Sequence, residues 1–246
     1  MNNNITLHRF PFSNFCEKVN WTFERKKIPH NVVEHLPFKH MRPLKKLSGQ
    51  TAVPVIETGN GEIITGSADI IDHLEAMVPQ YSLYPHDRAL KTQALEWQAR
   101  LDAMGAAVRG AMFYDYLQDK SFFHKMITDG GAGGVSYKVM FYAMSPVLAS
   151  MLKKKEPDPE VFRRTITQML DEIAQTVGSG GYLVGNQFSV ADLTAASLLY
   201  PLCYPQGTVG AEIARSTATG SDWLARWEGH EVLSYIEAIY RQHRHN

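Results

Sequence analysis

The sequence is poor in cysteine and has no excess of charge of either sign. Its 246 residues include only Cys16 and Cys203, with no CxxC motif and no cluster of cysteine and histidine. This excludes a disulfide scaffold and a zinc finger, so we expect no metal. The 25 basic residues balance the 25 acidic residues. The chain therefore lacks the basic excess on which nucleic-acid affinity depends, and we expect no nucleic-acid partner.

Long apolar runs and secretion signals are also missing. No apolar run approaches the roughly 20 residues of a membrane span, so no membrane association is expected. The first residues, MNNNITLHRF, lack the basic segment and apolar core of a signal peptide, which predicts a cytoplasmic protein. The length is enough for one large or two small domains.

Residues 1–78 alternate between strand and helix patterns. Short runs rich in branched residues predict four strands, at residues 5–8, 31–34, 53–57 and 62–65. The turn sequence at 58–61, TGNG, favours a hairpin between the last two strands. Apolar residues at helical spacing predict one helix around 15–23 and another, capped by Ser67, that carries Ile70 to Val78. The predicted order is βαβ, then a β-hairpin, then a helix.

From residue 89 onward every periodic segment is helical. Residues 79–88 hold two prolines and little periodicity, which predicts a linker between an α/β domain at 1–78 and an all-helical domain at 89–246. Pro146 interrupts one apolar stripe and is expected to kink or split that helix. The glycine-rich segment 129–134 lacks the preceding strand and the following Lys-Ser/Thr of a phosphate-binding loop. We predict an interhelical loop there.

Three features of the first 78 residues favour a site for a thiolate and a carboxylate. Ser13 and Cys16 lie at the start of the first helix, where free N–H groups and the helix dipole stabilise an anion. Pro54 opens a strand, which indicates a special backbone geometry such as a cis bond. Ser67 lies at the start of another helix, which is suited to a carboxylate. Taken singly, each feature is also typical of a cap, a buried thiol or an edge-strand proline.

Four motifs together resemble those of the cytosolic glutathione transferases: SNFCEKV at 13–19, AVPVI at 52–56, GSADII at 66–71 and GNQFSVAD at 185–192. The resemblance covers nearly the whole chain. It implies a thioredoxin-like domain followed by a helical bundle, with glutathione as co-substrate and a homodimer as the assembly. Ser189 and Asp192 have capping-box spacing, and the resemblance implies that this box stabilises a core helix.

The resemblance also implies a role for each matching residue. Ser13 takes the position of the catalytic serine, whose hydroxyl donates to the glutathione sulfur. Val53 is expected to bind the cysteinyl backbone of glutathione, and a cis Pro54 to orient that backbone. Ser67 is expected to hold the γ-glutamyl carboxylate.

Two positions depart from the family pattern. Ala52 stands where a lysine is frequent, and Gly66 stands where a glutamate or glutamine is usual. His40 and Gln50 are therefore the candidates for anchoring the glycyl carboxylate. Four aromatic residues are the candidates for the pocket of the electrophile, although core packing explains them equally well: Tyr114, Tyr116, Tyr137 and Phe141.

Three functions remain open from the sequence. The first is a transferase that activates the glutathione thiol for attack on an apolar electrophile. The second is a glutathione-dependent thiol reductase. The resemblance implies that family members of that type carry cysteine at the position of Ser13. In this chain Cys16 lies one turn further on, where it suits a redox or a packing role. The third is a non-enzymatic binding or assembly protein, which the departures at Ala52 and Gly66 favour.

Overall fold

A computed structural model of the chain describes residues 4–128, 133–155, 158–177 and 180–244. It contains a four-stranded mixed sheet with the spatial order β2-β1-β3-β4. The strands are β1 (Ile5–Arg9), β2 (His30–Glu34), β3 (Val55–Glu57) and β4 (Ile63–Thr65). Strand β1 pairs in parallel with β2 and antiparallel with β3, and β3 pairs antiparallel with β4.

Three helices accompany the sheet: α1 (Asn14–Arg25), α2 (Met41–Ser48) and α3 (Ser67–Met77). The described part of the chain continues with eight further α-helices and one 3-10 turn, at Tyr200–Leu202. The helices are α4 (Arg88–Tyr116), α5 (Lys120–Thr128), α6 (Gly134–Lys155), α7 (Pro159–Thr176), α8 (Val190–Leu199), α9 (Ala211–Ser216), α10 (Ala218–Ala225) and α11 (Glu231–His243). The predicted fold class, a thioredoxin-like α/β unit followed by a helical bundle, is confirmed.

The sequence reading missed helix α2. Only Leu44 is buried among its eight residues, so no apolar stripe marks it, and Pro43 lies in its first turn, where a proline is tolerated. The third strand begins at Val55 and not at residue 53, because the chain reaches the sheet only after Pro54. Both differences lie in the segment that forms one wall of the candidate site.

Helix α1 joins the two parts of the molecule. Val19 and Phe23 belong to the apolar cluster against the sheet, whereas Trp21 belongs to the larger cluster of the helical part. The side-chain amide of Asn14 donates to the carbonyl of Leu198 in α8 at 3.2 Å. The start of α1, where Ser13 lies, is therefore held directly against the core of the helical part.

Helix α6 is continuous through Pro146, so the expected split does not occur. Tyr137 and Phe141 attach one face of α6 to the rest of the molecule. The segment Gly134–Lys154 is long and apolar enough to cross a membrane by length and composition, which corrects the expectation that no such segment exists. The predicted loop at 129–134 lies mostly outside the described residues. Six large apolar side chains of α6 are exposed: Val135, Val139, Tyr142, Met144, Val147 and Met151.

Candidate active site

Ser13 caps the N-terminus of helix α1. Its backbone is extended, with φ −84° and ψ 122°, and its hydroxyl oxygen accepts the N–H of Cys16 at 3.3 Å. An oxygen in this role keeps its own proton for a further acceptor. The side chain is half-buried, at the edge of the helix where free N–H groups favour negative charge.

Cys16 lies behind Ser13, inside the protein. Its side chain is only 1% exposed. Burial raises the pKa of the Cys16 thiol to about 11, although a hydrogen bond from Ser13 acts in the opposite direction. At neutral pH Cys16 is therefore a thiol and not a thiolate. The packing role that the sequence left open fits this environment, and the redox role does not.

A cleft of about 330 Å³ opens between the sheet domain and helix α4. Four of the residues assigned to glutathione on sequence grounds line it: Gln50, Val53, Pro54 and Ser67. The peptide bond between Val53 and Pro54 is cis, as predicted. Val53 lies outside the strand ladder, and its backbone N–H and C=O make no hydrogen bond within the described residues. This edge is open to the extended backbone of a bound peptide.

Helix α3 begins at Ser67, so the predicted role of this serine as the cap is wrong. The N-cap is Gly66, whose φ of 90° lies in a region that favours glycine because a side chain would be strained there. Ser67 is therefore the first residue of the helix. In the first turn the N–H groups of Ser67 and Ala68 have no partner within the helix, and both residues line the cleft. This is an arrangement that binds a carboxylate.

His40 does not line the cleft. It precedes helix α2, and its ring meets the ring of Phe10 edge to face at a centroid distance of 4.8 Å. Burial lowers the pKa of His40, so the ring is mostly neutral at pH 7 and is a poor anchor for a carboxylate. Of the two candidates for the glycyl carboxylate, the structure brings only Gln50 to the cleft.

The aromatic residues expected around the electrophile also lie outside this cleft. Tyr116 is two turns beyond Arg109 on α4, where it contacts α5 and α10, and its hydroxyl lies 3.0 Å from that of Tyr204. Tyr114 packs against Phe162 of α7 at a centroid distance of 6.1 Å. Both side chains belong to the core of the helical part, because α4 continues beyond the edge of the sheet domain.

Tyr137 and Phe141 contact the sheet domain without reaching the cleft. The ammonium of Lys39 lies 5.5 Å from the ring centroid of Tyr137, and Phe38 lies 6.4 Å from Phe141. Burial raises the pKa of Tyr137, whose hydroxyl has no hydrogen-bond partner among the described residues. These two aromatic residues hold α6 against the segment before α2.

Sequence reasoning missed the helical wall of the cleft. Asp102 and Arg109, seven residues apart on α4, line this wall, and Phe15 lies opposite. The guanidinium carbon of Arg109 is 5.7 Å from the ring centroid of Phe15. Asp102 receives two hydrogen bonds of 2.8 Å from the ammonium of the buried Lys18. Arg109, by contrast, has no carboxylate partner in the part of the chain that the structure describes.

The same described residues contain no cluster of three or more histidine, cysteine, aspartate or glutamate side chains that could hold a metal ion. The cleft offers the hydroxyl of Ser67, free backbone amides, the side-chain amide of Gln50, the cation of Arg109 and two carboxylates, Asp69 and Asp102, of which Asp102 is paired with Lys18. The amides and the cation can bind the carboxylates of a peptide, and Asp69 can accept from its amino group.

Comparisons with known proteins match both parts of the chain to one family. A model of the N-terminal domain of glutathione S-transferases matches residues 7–82, and a model of their C-terminal domain matches residues 135–215. Glutathione S-transferase TCHQD of Arabidopsis thaliana is 25% identical over 216 residues, which cover 79% of this chain and 76% of that protein.

Two solved structures illustrate the similarity in fold. A glutathione S-transferase from Methylobacterium radiotolerans, in complex with glutathione sulfonate, matches with a TM-score of 0.64 and 19% identity, over 98% of this chain and 92% of its own. The β-etherase LigF from Sphingobium sp. strain SYK-6 matches with a TM-score of 0.60 and 19% identity, over 96% of this chain and 98% of its own. At these identities the two structures support the fold alone.

Proposed function

Because this chain belongs to the glutathione S-transferase family, we propose that it binds glutathione and activates its thiol for attack on an apolar electrophile. The observation that supports this most directly is the single cleft that Gln50, Val53, Pro54 and Ser67 line together. These residues come from two separate stretches of the sequence, 50–54 and the start of α3 at Ser67, which meet only in the folded chain.

Glutathione fits this cleft as an extended tripeptide. Its cysteinyl backbone pairs with the free N–H and C=O of Val53, next to the cis bond to Pro54. Its γ-glutamyl carboxylate accepts hydrogen bonds from the N–H groups of Ser67 and Ala68 at the start of α3. Gln50 offers its amide to the glycyl end. Ser13 itself is not among the residues that line the cleft. Phe15, in the first turn of the helix that Ser13 caps, does line it, so we expect the sulfur at the start of α1, near Ser13.

The activation step requires little free energy. A free thiol has a pKa near 8.5, and lowering it by two units corresponds to about 2.7 kcal/mol. A hydrogen bond from a neutral hydroxyl to a charged acceptor contributes about 1.5–3 kcal/mol. The hydroxyl of Ser13, together with the positive end of helix α1, is sufficient, and the thiolate then forms the new bond to carbon as the leaving group departs.

The thiol reductase is the weaker candidate. A reductase needs a cysteine that is exposed to a disulfide substrate, and Cys16 is buried with a pKa of about 11. On sequence grounds, the departures from the family pattern at Ala52 and Gly66 favour a non-enzymatic protein. These departures do not affect the backbone contacts that Val53 and Ser67 offer to glutathione. The cleft therefore retains the means to bind glutathione.

The experiment that tests the proposal replaces Ser13 by alanine. Turnover of glutathione with 1-chloro-2,4-dinitrobenzene at pH 6.5 should fall by about ten- to a hundredfold, as the loss of about 1.4–2.7 kcal/mol implies. The defect should shrink at pH 9.5, where glutathione ionises without help. Because Ser13 is also a helix cap, stability should fall by about 1 kcal/mol, so rates are compared on folded protein.

Two further variants complete this test. Ser13→Thr retains a hydroxyl and should keep most of the activity, and Ser136→Ala removes an exposed serine on α6 and should change nothing. An equal defect of Ser13→Ala at pH 6.5 and pH 9.5 would contradict thiol activation by this hydroxyl. Absence of glutathione binding to the unmodified protein in calorimetry would overturn the proposal as a whole.

A further inference from the structure

Helix α6 exposes most of its apolar side chains. Of the ten large apolar side chains that are exposed in the described chain, six lie on this helix, among them Val139 at 66% and Met151 at 63%. Only 17% of its most apolar stretch is buried, so packing within the protein does not explain the apolar composition of the helix. We call this region the α6 surface and define it by those six residues: Val135, Val139, Tyr142, Met144, Val147 and Met151.

The opposite side of α6 is fixed to the protein. Tyr137, Phe141 and Ser145, each one helical turn apart, are buried. Phe141 meets Phe123 of α5 edge to face at a centroid distance of 5.5 Å and also contacts Phe38 of the sheet part. Because these contacts hold the helix along its length, a partner can meet the α6 surface only from outside. The helix is therefore positioned to lie along a surface and not to cross a membrane.

The charges of helices α5 and α6 are all positive. Their sequences contain no aspartate or glutamate and six lysines: Lys120, Lys125, Lys138, Lys153, Lys154 and Lys155. Lys138, Lys153 and Lys154 are exposed, and none of the three forms an ion pair within the described chain. The whole chain has no net charge, so this excess of cations is local to the two helices.

The segment of the sheet part next to α6 has the same sign of charge. Residues 35–56 contain no aspartate or glutamate but hold three lysines and one arginine. The ammonium of Lys39 lies 5.5 Å from the ring centroid of Tyr137, so this segment adjoins the start of α6. Beyond the other end of α6, the first described carboxylate is that of Asp158, which pairs with Arg164 at 3.4 Å. Cations therefore border the α6 surface at both ends.

A groove of about 530 Å³ lies beside the second half of α6. Lys120, Lys153 and Lys154 line it, and no carboxylate is among its described lining residues. Leu117 and Pro146 add apolar surface between these cations. Cations next to exposed apolar side chains suit the interface of an anionic bilayer, where phosphate groups lie above the acyl chains.

We propose that the α6 surface docks on a bilayer that contains anionic lipids. The helix, about 33 Å long from its 22 residues, lies parallel to the membrane, with its apolar side chains at the boundary of the acyl chains and its lysines at the phosphate groups. This docking does not depend on the transferase activity. A second copy of the chain fits the surface less well, because two α6 surfaces in an isologous contact bring lysines together and neither helix has a carboxylate to pair with them.

Flotation of the full chain with lipid vesicles tests the proposal. In about 0.1 M salt the protein should bind vesicles made of equal parts of phosphatidylserine and phosphatidylcholine, and should bind vesicles of phosphatidylcholine alone at least about tenfold more weakly. Salt at about 1 M should weaken the binding at least about tenfold, because the screening length falls to about 3 Å. Equal binding to the two kinds of vesicle, or no binding to either, would overturn the proposal.

A pair of lysine substitutions tests the contribution of charge. Lys153→Gln combined with Lys154→Gln should weaken binding to the phosphatidylserine vesicles at least about tenfold, as the loss of two cations near the bilayer implies. The matched control, Lys91→Gln combined with Arg241→Gln, removes two exposed cations from α4 and α11 and should leave binding unchanged. Equal weakening by both pairs would mean that net charge and not this surface governs binding, and the proposal would be wrong.

A pair of apolar substitutions tests the contribution of burial. Val147→Ser combined with Met151→Ser should weaken binding at least about tenfold, because less apolar surface leaves water, whereas Val32→Ser combined with Val33→Ser on β2 should not. All these positions are exposed, so folding should be retained, as circular dichroism can verify. Unchanged binding in the α6 pair would refute the site. A dimer in light scattering that the α6 pair separates would show that a second copy covers the surface, which would also refute it.

Discussion

Arg109 adds a cation to a cleft that Asp69 and Asp102 also line. It projects from the helical wall over Phe15, two residues after Ser13 in the sequence, and it has no carboxylate partner among the described residues. The neighbouring Asp102 is already paired with Lys18. An acceptor molecule that lies between Phe15 and Arg109 therefore meets an aromatic ring and a positive charge, so we expect an acidic group on an otherwise apolar electrophile to strengthen its binding.

Replacing Arg109 by glutamine tests this preference. With 4-chloro-3-nitrobenzoate as acceptor, kcat/KM should fall about tenfold or more, as the loss of a charge-assisted hydrogen bond implies. With the neutral 1-chloro-2,4-dinitrobenzene it should change little. Arg100→Gln, two to three turns earlier on the same helix and paired with Glu172, is the matched control. An equal loss for both acceptors would show that Arg109 does not distinguish charge.

Both thiols of the chain should be unreactive in the folded protein. Cys16 and Cys203 are buried, and burial raises their pKa values to about 11 and about 12. A thiol reagent such as 5,5′-dithiobis(2-nitrobenzoate) at pH 7 should label neither residue at first, and both after unfolding in urea. Cys16→Ser should keep most of the transferase activity. Rapid labelling of Cys16 in the native state would restore the reductase interpretation.

At the scale of the elements, the start of helix α8 holds a buried carboxylate that accepts four hydrogen bonds. Ser189 and Asp192 form the predicted capping box, which is confirmed. The carboxylate of Asp192 accepts from the N–H of Leu183 and the hydroxyl of Tyr235, each at 2.8 Å, and from the N–H and hydroxyl of Ser189 at 2.9 and 3.0 Å. Burial raises the pKa of Asp192 in spite of these donors. The residue joins three separate segments.

Asp192→Ala should therefore cost more than the loss of an ordinary cap. It leaves several buried donors without an acceptor, each of which costs about 1–3 kcal/mol. Asp87→Ala removes the exposed cap of α4 and should cost about 1 kcal/mol. Urea denaturation of the two variants measures the difference. Equal loss of stability in the two variants would mean that Asp192 acts only as a cap. The glutathione affinity of the folded fraction should remain unchanged in both variants.

For the whole molecule, the sequence predicts a surface for self-association on two helices. Ile70 and Ile71 are adjacent on α3, and Ala103, Ala106, Ala107 and Ala111 offer a second face on α4. Ile70 is buried against the sheet, Ile71 in the helical core, and Ala107 and Ala111 are buried as well, whereas Ala103 is exposed and Ala106 is partly exposed. The large exposed apolar side chains of the helical part lie on α6, including Val135 at 80% exposure.

A homodimer remains our prediction for the assembly. Light scattering at micromolar concentration should give a mass near twice the 27.7 kDa of the chain. If α6 contributes to the contact, Val139→Glu should shift the mass toward that of the monomer, because a carboxylate buried in an apolar interface is unfavourable. Val33→Glu, at an exposed valine of β2, is the control. A mass of one chain for the unmodified protein would show that the prediction is wrong.

The sequence by itself determined the features that depend on neighbouring residues. The strands, the start of α1 at Ser13 and the capping box at Ser189 follow from local spacing, and the resemblance to a family added the cis bond at Pro54. The contiguous stretches around Val53 and Ser67 that line the cleft were also predictable, because each is a short motif whose backbone geometry is set locally.

Only the tertiary structure decided which side chains meet across the two parts of the chain. Apolar periodicity shows that a helix face is buried but not what covers it, so it could not distinguish Tyr116, which is in the core, from Arg109, which faces the cleft. Nor could it show that nearby carboxylates pair with Lys26 and Arg244, while the buried Nε of Arg25 has no hydrogen-bond partner among the described residues. Such partners are far apart in sequence, and their contacts follow from packing between whole elements.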